Sequence, residues 1–158
     1  MEAHRRDDPL SGVTASLFDY AAAVDEGRVD DFVSLFTADA VFYRNDVVGH
    51  DAIRRLTIEM LRDYSATSHH ISNVRIIETT DDEVASICQV YAWHRHVDGH
   101  DVEVWGQYRS RFRYEDGRWR FVRHTARAAG VRPEGALGQV ARVPRSTIDR
   151  DRDLPEAQ

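Results

Sequence analysis

Histidine is the side chain best suited to acid–base chemistry in this chain, because an imidazole can both take and release a proton near pH 7. Four of the eight histidines lie in two segments that alternate as β-strands do: His69, His70, His94 and His96. Adjacent residues of a strand face opposite sides of a sheet, so only one of His69 and His70 can face the interior. The apolar residues around them occupy both parities, and periodicity does not choose between the two.

One carboxylate falls on an apolar helix face. Asp25 follows Ala21, Ala22 and Phe18 by four, three and seven residues, which places all four on one side of a helix. Gly27 predicts that the helix ends here, where the helix dipole disfavours a negative charge. One interpretation is an aspartate that orients and charges a histidine across a pocket, and the other is a surface aspartate near a helix end. Spacing alone leaves both open.

Several aromatic side chains are further candidates. Tyr43, Tyr91 and Tyr108 could donate hydroxyl hydrogen bonds to a substrate, although core or sheet-surface packing is the commoner role of a tyrosine. His124 alternates with Val122 on a predicted strand face, so we expect it to line the interior.

The His94-x-His96 pair could also bind a metal together with a carboxylate such as Glu103. The spacing to Glu103 does not fit the usual cupin pattern, and three predicted helices precede the strands. We therefore expect no metal at this histidine pair. Three arginines that alternate over residues 109–113 are predicted to form a solvated or subunit-contacting face.

Composition excludes several classes of function. The 158 residues carry 27 acidic and 21 basic side chains, a net charge of −6, which argues against a nucleic-acid partner. All basic residues are arginine, which excludes lysine Schiff-base chemistry and a Walker-type phosphate loop. Cys88 is the single cysteine, so neither an internal disulfide nor a thiolate zinc site can form. A charged N-terminus and the lack of a long apolar run predict a cytoplasmic protein without a membrane partner.

Helical periodicity occupies the first part of the chain and strand periodicity the rest. We predict a helix from Thr14 to Gly27, a short helix after it, a strand over Ala40–Tyr43, and a third helix whose apolar stripe runs to Tyr64. Four strands follow, over 68–79, 84–97, 102–114 and 118–128. The Asp98-Gly99 and Asp116-Gly117 pairs predict type I′ hairpin turns. The chain should form an α+β domain over 11–130, with a disordered lead over 1–10 and a tail over 131–158 that could strap the pocket.

Four segments carry a family resemblance: Tyr20–Arg28 (YAAAVDEGR), Leu35–Val41 (LFTADAV), Thr67–Val74 (TSHHISNV) and Glu115–Phe121 (EDGRWRF). Over about residues 10–130 the chain resembles the nuclear transport factor 2-like superfamily and its SnoaL-like branch. Within that branch it is most similar to scytalone dehydratase and related bacterial dehydratases. The resemblance implies a cone-shaped, curved, mixed or antiparallel sheet with three N-terminal helices on its concave face.

The resemblance also implies the catalytic set Asp25, Tyr43, His69 and His94. Two positions depart from the dehydratase pattern: a tyrosine is replaced by Val24, and a pocket asparagine aligns near Tyr108. The substrate-contacting residues are expected to be Tyr108, His124, Val24, Val90 and Met60.

The implied activity is a cofactor-independent dehydratase that acts on a cyclic or polyketide-like β-hydroxy ketone. His69, oriented by Asp25, would remove the proton α to the carbonyl, His94 would protonate the departing hydroxyl, and Tyr43 would polarise the carbonyl. A polyketide cyclase or ketosteroid-type isomerase could use the same pocket. A third alternative is a non-catalytic small subunit of a ring-hydroxylating dioxygenase. We expect a small hydrophobic cyclic substrate and a homodimer or homotrimer.

Overall fold

The computed structural model describes residues 8–43 and 46–136. Three helices and five strands follow one another as α1 (Pro9–Asp25), α2 (Val29–Ser34), β1 (Phe36–Phe42), α3 (Gly49–Leu61), β2 (Tyr64–Thr79), β3 (Glu83–His96), β4 (Asp101–Glu115) and β5 (Arg118–Arg132). This order confirms the predicted α+β class. Most of the predicted lead and tail, residues 1–7 and 137–158, lie outside the described residues.

The first helix begins five residues before the predicted Thr14. The Asp8 carboxylate accepts the Ser11 backbone N–H at 3.0 Å, and Pro9 occupies the first helical position, where its missing N–H leaves no bond unmade. The helix ends as expected near Gly27, whose φ is +67°. The Arg28 N–H donates to the Ala23 carbonyl, the long bond of a Schellman motif.

The five strands form one mixed sheet in the order β1-β5-β4-β3-β2. β1 runs parallel to β5, and the other neighbouring pairs are antiparallel. Register shifts interrupt β2 in three places and β5 in two, and bulges of this kind bend strands and increase their twist. The result is an open, curved sheet with the helices on its concave face, as the resemblance implies.

Aromatic side chains fill the closed end of this sheet. The largest fully buried residues include five phenylalanines, Phe32, Phe36, Phe42, Phe112 and Phe121. Tyr20 on α1 packs against two of them, with ring centroids 5.0 Å from Phe32 and 5.7 Å from Phe121. This cluster holds α1 and β1 against the sheet, so the end of α1 is fixed relative to the strands.

Several local predictions need correction. β1 begins at Phe36 rather than Ala40, and Tyr64 opens β2 instead of closing the stripe of α3. Asp116 and Gly117 both have positive φ, as a type I′ turn requires. The type I′ prediction is wrong for the Asp98-Gly99 pair, where only Gly99 has positive φ. The His96 N–H bonds the carbonyl of His100, so the loop there is longer than the two residues of a type I′ turn. Within the described residues, no helix combines the length and apolar character needed to cross a bilayer.

Candidate active site

Asp25 and His69 form a hydrogen-bonded pair where the end of α1 meets β2. The Asp25 Oδ1 atom lies 2.6 Å from His69 Nδ1, and Oδ2 accepts the backbone N–H of His69 at 2.8 Å. The Thr67 hydroxyl donates to Oδ1, also at 2.8 Å. Three donors from β2 thus compensate a carboxylate that the dipole of α1 disfavours. Of the two interpretations of Asp25, the structure agrees with the one that gives it a histidine partner.

The charge state of Asp25 follows from these contacts. Burial acts to raise the pKa of this carboxyl, but the hydrogen bonds from the His69 ring, the His69 N–H and Thr67 outweigh burial and lower the pKa. An ionised Asp25 can only accept, so His69 Nδ1 must carry the proton that it shares. In the neutral ring this leaves Nε2 as the nitrogen without a proton, the one that can act as a base.

The structure also decides between the two adjacent histidines. The side chain of His69 is 7% exposed and lines a cavity, whereas His70 is exposed and its ring lies 3.1 Å from the Ser68 hydroxyl. The His70 ring is tilted against that of Tyr91 on the outer face of the sheet, with centroids 5.7 Å apart. His69 is therefore the histidine that a substrate could reach from inside.

The cavity has a volume of about 430 Å³ and lies between the helices and the concave face of the sheet. That volume falls in the range of ligand pockets for small molecules. Its lining is mostly aliphatic and aromatic, with a few polar groups: Tyr20, Val24, Phe32, Phe42, Tyr43, Thr57, Met60, Leu61, Tyr64, His69, Val90, Ala92, His94, Val104, Tyr108, Ala126, Arg127 and Ala128. The arrangement suits an apolar molecule that carries one or two oxygens.

His94 stands beside His69 on the neighbouring strand. Their ring centroids are 5.1 Å apart and the rings are perpendicular. Burial, followed by the nearby His69, lowers the pKa of His94 to about 4, so this ring is neutral near pH 7. Its Nδ1 atom is buried without a hydrogen-bond partner in the described part of the chain. A neutral His94 can donate or accept a hydrogen bond with a bound molecule, but it is not an imidazolium that could act as a strong acid.

Three tyrosines meet on the opposite side of the cavity. The hydroxyls of Tyr20 and Tyr43 are 3.1 Å apart, and Tyr108 packs edge-on to Tyr20 with centroids 5.6 Å apart. Burial raises the pKa of all three phenols, which therefore stay protonated and can act as donors. Tyr43 adopts φ 56°, a strained conformation for a non-glycine residue, and its N–H is held by the carbonyl of His124 at 2.8 Å.

Most of the residues that we expected to contact substrate line this cavity: Val24, Val90, Met60 and Tyr108. His124 does not. It is completely buried behind Tyr20 and Tyr108, where its Nδ1 lies 2.9 Å from the Ser110 hydroxyl and burial lowers its pKa to about 3. We expected His124 to face the same side as Val122. A bulge in β5 at Val122 interrupts this alternation, so that Phe121 and His124 both point inward.

Sequence reasoning missed Tyr20 as a site residue. It belongs to the apolar stripe of α1, and a tyrosine in such a stripe predicts core packing first. One signal could have found it: Tyr20 precedes Val24 by one helical turn, so the two share a face, and Val24 aligns with a substrate-contacting position. The same limit applies to Thr57 and Tyr64, which lie on α3 and at the start of β2.

The remaining candidate side chains, among them Tyr91 and Glu103, lie on the outer face of the sheet. Tyr91 donates its hydroxyl hydrogen bond to Glu103 at 2.8 Å, away from the cavity. Glu103 is also paired with Arg132, and within the described residues it forms no ligand cluster with His94 and His96. The arginines over 109–113 lie on the same outer side, where Arg111 pairs with Glu78 at 2.7 Å.

Comparison with known proteins places this geometry in a family. The SnoaL-like domain model matches residues 11–125. No curated protein sequence matches the chain. A solved structure from Novosphingobium aromaticivorans, provisionally named scytalone dehydratase, superposes with a TM-score of 0.79 at 24% identity, covering 87% of this chain and 94% of the other.

Two further solved structures share the fold. A protein of the same organism, provisionally named aromatic ring hydroxylase, superposes with a TM-score of 0.69 at 26% identity, over 73% of this chain and 85% of its own. A hexachlorocyclohexane dehydrochlorinase from Novosphingobium barchaimii superposes with a TM-score of 0.69 at 19% identity, over 85% of this chain and 94% of its own. One fold hosts many activities, so these likenesses establish architecture. With a family model that spans most of the described residues, the chain belongs to the SnoaL-like domain family, within the nuclear transport factor 2-like superfamily.

Proposed function

We propose that the protein is a cofactor-independent lyase, a dehydratase that removes water from a cyclic or polyketide-like β-hydroxy ketone. The observation that carries the proposal is the Asp25–His69 pair, which presents a bare imidazole nitrogen to an apolar cavity of about 430 Å³. Two of the similar solved structures are named as enzymes that catalyse elimination reactions, a dehydratase and a dehydrochlorinase. Both names describe removal of a proton and a neighbouring leaving group.

The first step is removal of the proton α to the substrate carbonyl. His69 Nε2 accepts this proton, and Asp25 stabilises the imidazolium that forms, because its carboxylate stays hydrogen-bonded to Nδ1. The electrons of the broken C–H bond move onto the carbonyl oxygen as an enolate. A proton α to a carbonyl is only weakly acidic, so its removal requires hydrogen-bond donors that stabilise the negative charge on the enolate oxygen.

The three buried tyrosines can supply hydrogen bonds to the enolate oxygen. Tyr43 is the proposed donor to the carbonyl oxygen, and Tyr20, whose hydroxyl is 3.1 Å away, supports it as a second phenol in the same chain of hydrogen bonds. Burial holds both in the protonated form. Tyr108 replaces the asparagine of the dehydratase pattern and extends the donor set to three.

The second step is loss of the β-hydroxyl. The enolate electrons return to form the Cα–Cβ double bond, the C–O bond breaks, and the departing oxygen takes a proton and leaves as water. The low pKa of His94 favours a neutral ring, so we assign the proton to the His69 imidazolium and a hydrogen bond to the leaving oxygen to His94. This differs from the first expectation, in which His94 supplied the proton.

A second candidate, a ketone isomerase or cyclase, would use the same base and the same phenols and retain the oxygen. The substrate and product masses distinguish the two, because only the dehydratase loses the mass of water. A non-catalytic scaffold subunit would have no need of a hydrogen-bonded His–Asp pair facing an open cavity, and this pair favours the enzyme.

The experiment is a screen of cyclic β-hydroxy ketones for the ultraviolet absorbance of the conjugated enone, followed by the variant His69→Gln. We expect a loss of kcat of about 10²–10⁴-fold, the usual contribution of a positioned general base. His70→Gln is the matched control, a histidine of the same strand that faces outward, and it should retain wild-type turnover. Near-normal turnover by His69→Gln on a substrate that the wild type converts would exclude this mechanism.

A further inference from the structure

We propose that the hairpin between β3 and β4 is a binding site for a divalent transition-metal ion, with His96, Asp98 and His100 as its ligands. Neither the family match nor the proposed lyase assigns a role to this hairpin. The three side chains form the one cluster of metal-ligating residues found among the described residues. Their ligand atoms all lie within 4.8 Å of one another.

The separations between the donor atoms fit one small ion. His96 Nδ1 lies 3.1 Å from Asp98 Oδ1, and His100 Nδ1 lies 2.5 Å from the same oxygen. Zinc bonds to nitrogen and oxygen near 2.0–2.1 Å place tetrahedral ligands about 3.3 Å apart. Entry of an ion therefore needs His100 to withdraw by less than about 1 Å. It also needs His96 Nδ1, which accepts the Asp98 backbone N–H at 3.3 Å, to exchange that hydrogen bond for the bond to the ion.

The backbone holds the two histidines opposite each other before any ion binds. His96 is the last residue of β3, and its N–H bonds the carbonyl of His100 at 2.9 Å, directly before β4 begins. Their rings stack with centroids 4.6 Å apart and an angle of 20°. Gly99, at φ +96°, allows the loop to turn, and the Asp98 carboxylate lies at the Nδ1 edge of both rings. The backbone thus brings the three side chains together, and binding of an ion requires that the two rings turn so that both Nδ1 atoms face it.

The donor set identifies the class of ion. Two imidazoles and one carboxylate suit zinc and its neighbours in the first transition row, and do not suit calcium or magnesium, which prefer oxygen ligands. Three protein ligands leave a fourth position open to water or to another molecule. Asp101, the nearest other carboxylate on β4, is paired with Arg95 and is not counted as a ligand.

The site lies next to the cavity of the proposed lyase. The His96 ring packs edge-on to Tyr64 with centroids 6.0 Å apart, and Tyr64 lines the cavity and contacts His94 at 5.0 Å. An ion that holds His96 would therefore also restrain one wall of the cavity. The metal site itself does not depend on the proposed activity, and its test uses no substrate.

The test is a calorimetric titration of the tag-free full-length chain with Zn²⁺, together with the visible spectrum of the Co²⁺ form. We expect saturable binding of one ion per chain and the intense band of four-coordinate cobalt. Asp98→Asn and His100→Gln remove ligands, so each should weaken binding by more than the roughly 10–100-fold that loss of an outer-shell partner costs, with the circular dichroism spectrum unchanged. His70→Gln, which removes an exposed histidine elsewhere on the sheet, should bind as the wild type does.

Two results would overturn the proposal. One is a wild-type titration without a saturable site. The other is an isotherm for His100→Gln that superposes on that of the wild type, which would show that any bound ion lies elsewhere. If Asp98→Asn alone fails to fold, His100→Gln still decides, because it leaves the Asp98 turn intact. Loss of lyase activity in the His69 variant would leave all these expectations unchanged.

Discussion

Asp25→Asn is the change that most directly tests the proposed base, because it alters one atom of a carboxylate that accepts three hydrogen bonds. Oδ1 accepts from the His69 ring and Thr67, and Oδ2 accepts from the His69 backbone N–H. An amide of the same shape has one acceptor oxygen and one NH₂ group, so it cannot satisfy both sides.

Either orientation of the asparagine is unfavourable. If the amide oxygen faces the His69 backbone, the NH₂ group faces Nδ1, which must then lose its proton. Nε2 becomes protonated and the base disappears. If the oxygen faces Nδ1, the NH₂ group opposes the backbone N–H, and a partly buried donor is left unpaired at a cost of about 1–3 kcal/mol. The first arrangement avoids that contact, and we expect it to dominate.

The expected consequence is a fall in kcat of about 10³–10⁴-fold, the size of effect that a wrong histidine tautomer produces in the Ser-His-Asp enzymes. KM should change little, because Asp25 does not line the cavity. Steady-state enone absorbance measures kcat, and ¹⁵N NMR of the imidazole nitrogens reports the tautomer without any substrate. Asp19→Asn is the control, since it removes a charge from the same helix, where Asp19 forms a surface ion pair with Arg118.

The reasoning would be refuted by an Asp25→Asn protein that keeps kcat within about threefold of the wild type. It would also be refuted if the NMR spectrum showed the wild-type tautomer while activity was lost. In that second case Asp25 would act on folding or on substrate binding rather than on the histidine.

Two further predictions follow from the phenols and the buried histidines. Tyr43→Phe should lower kcat by about 10–10³-fold, and Tyr20→Phe by less, because a donor to the developing oxyanion contributes more than the residue that supports it; steady-state kinetics of the two variants measures the order. Stability should fall in mild acid: the folded pKa values are about 4 for His94 and about 3 for His124, below the usual value of histidine, so the unfolded chain takes up protons first. Urea unfolding should show full stability above about pH 6.5 and a loss on the order of a few kcal/mol as the pH falls towards 4. His124→Gln should flatten that slope, and an unchanged slope in this variant would contradict the assignment.

The class of fold was readable because the hydrophobic period changes once, from helical to alternating, and the change leaves helices on one side of a meander. The ends of helices and strands were harder to predict from the sequence, because each end depends on one or two specific contacts. The Asp8 cap, which starts α1, and the backbone bond that lengthens the Asp98-Gly99 loop are both invisible to periodicity.

The site was readable only through resemblance. Asp25 and His69 are 44 residues apart in sequence, and no local pattern states that the end of α1 meets the start of β2. His124 shows the opposite failure, since a bulge in β5 moves it to a layer behind the cavity. The substrate class, a cyclic or polyketide-like β-hydroxy ketone, and the assembly as a homodimer or homotrimer stay predictions.

The position of Asp25 explains why this fold suits a histidine base. A carboxylate at a helix C-terminus is disfavoured by the dipole, and this one also sits where burial opposes ionisation. β2 reverses both effects, because Thr67 and His69 bring three donors to one side chain. The imidazole bound through Nδ1 therefore helps to keep the carboxylate charged, and the charged carboxylate holds the imidazole in the tautomer that leaves Nε2 free. Each residue enforces the state that the other needs, so the pair depends on the contact between α1 and β2 that the aromatic core maintains.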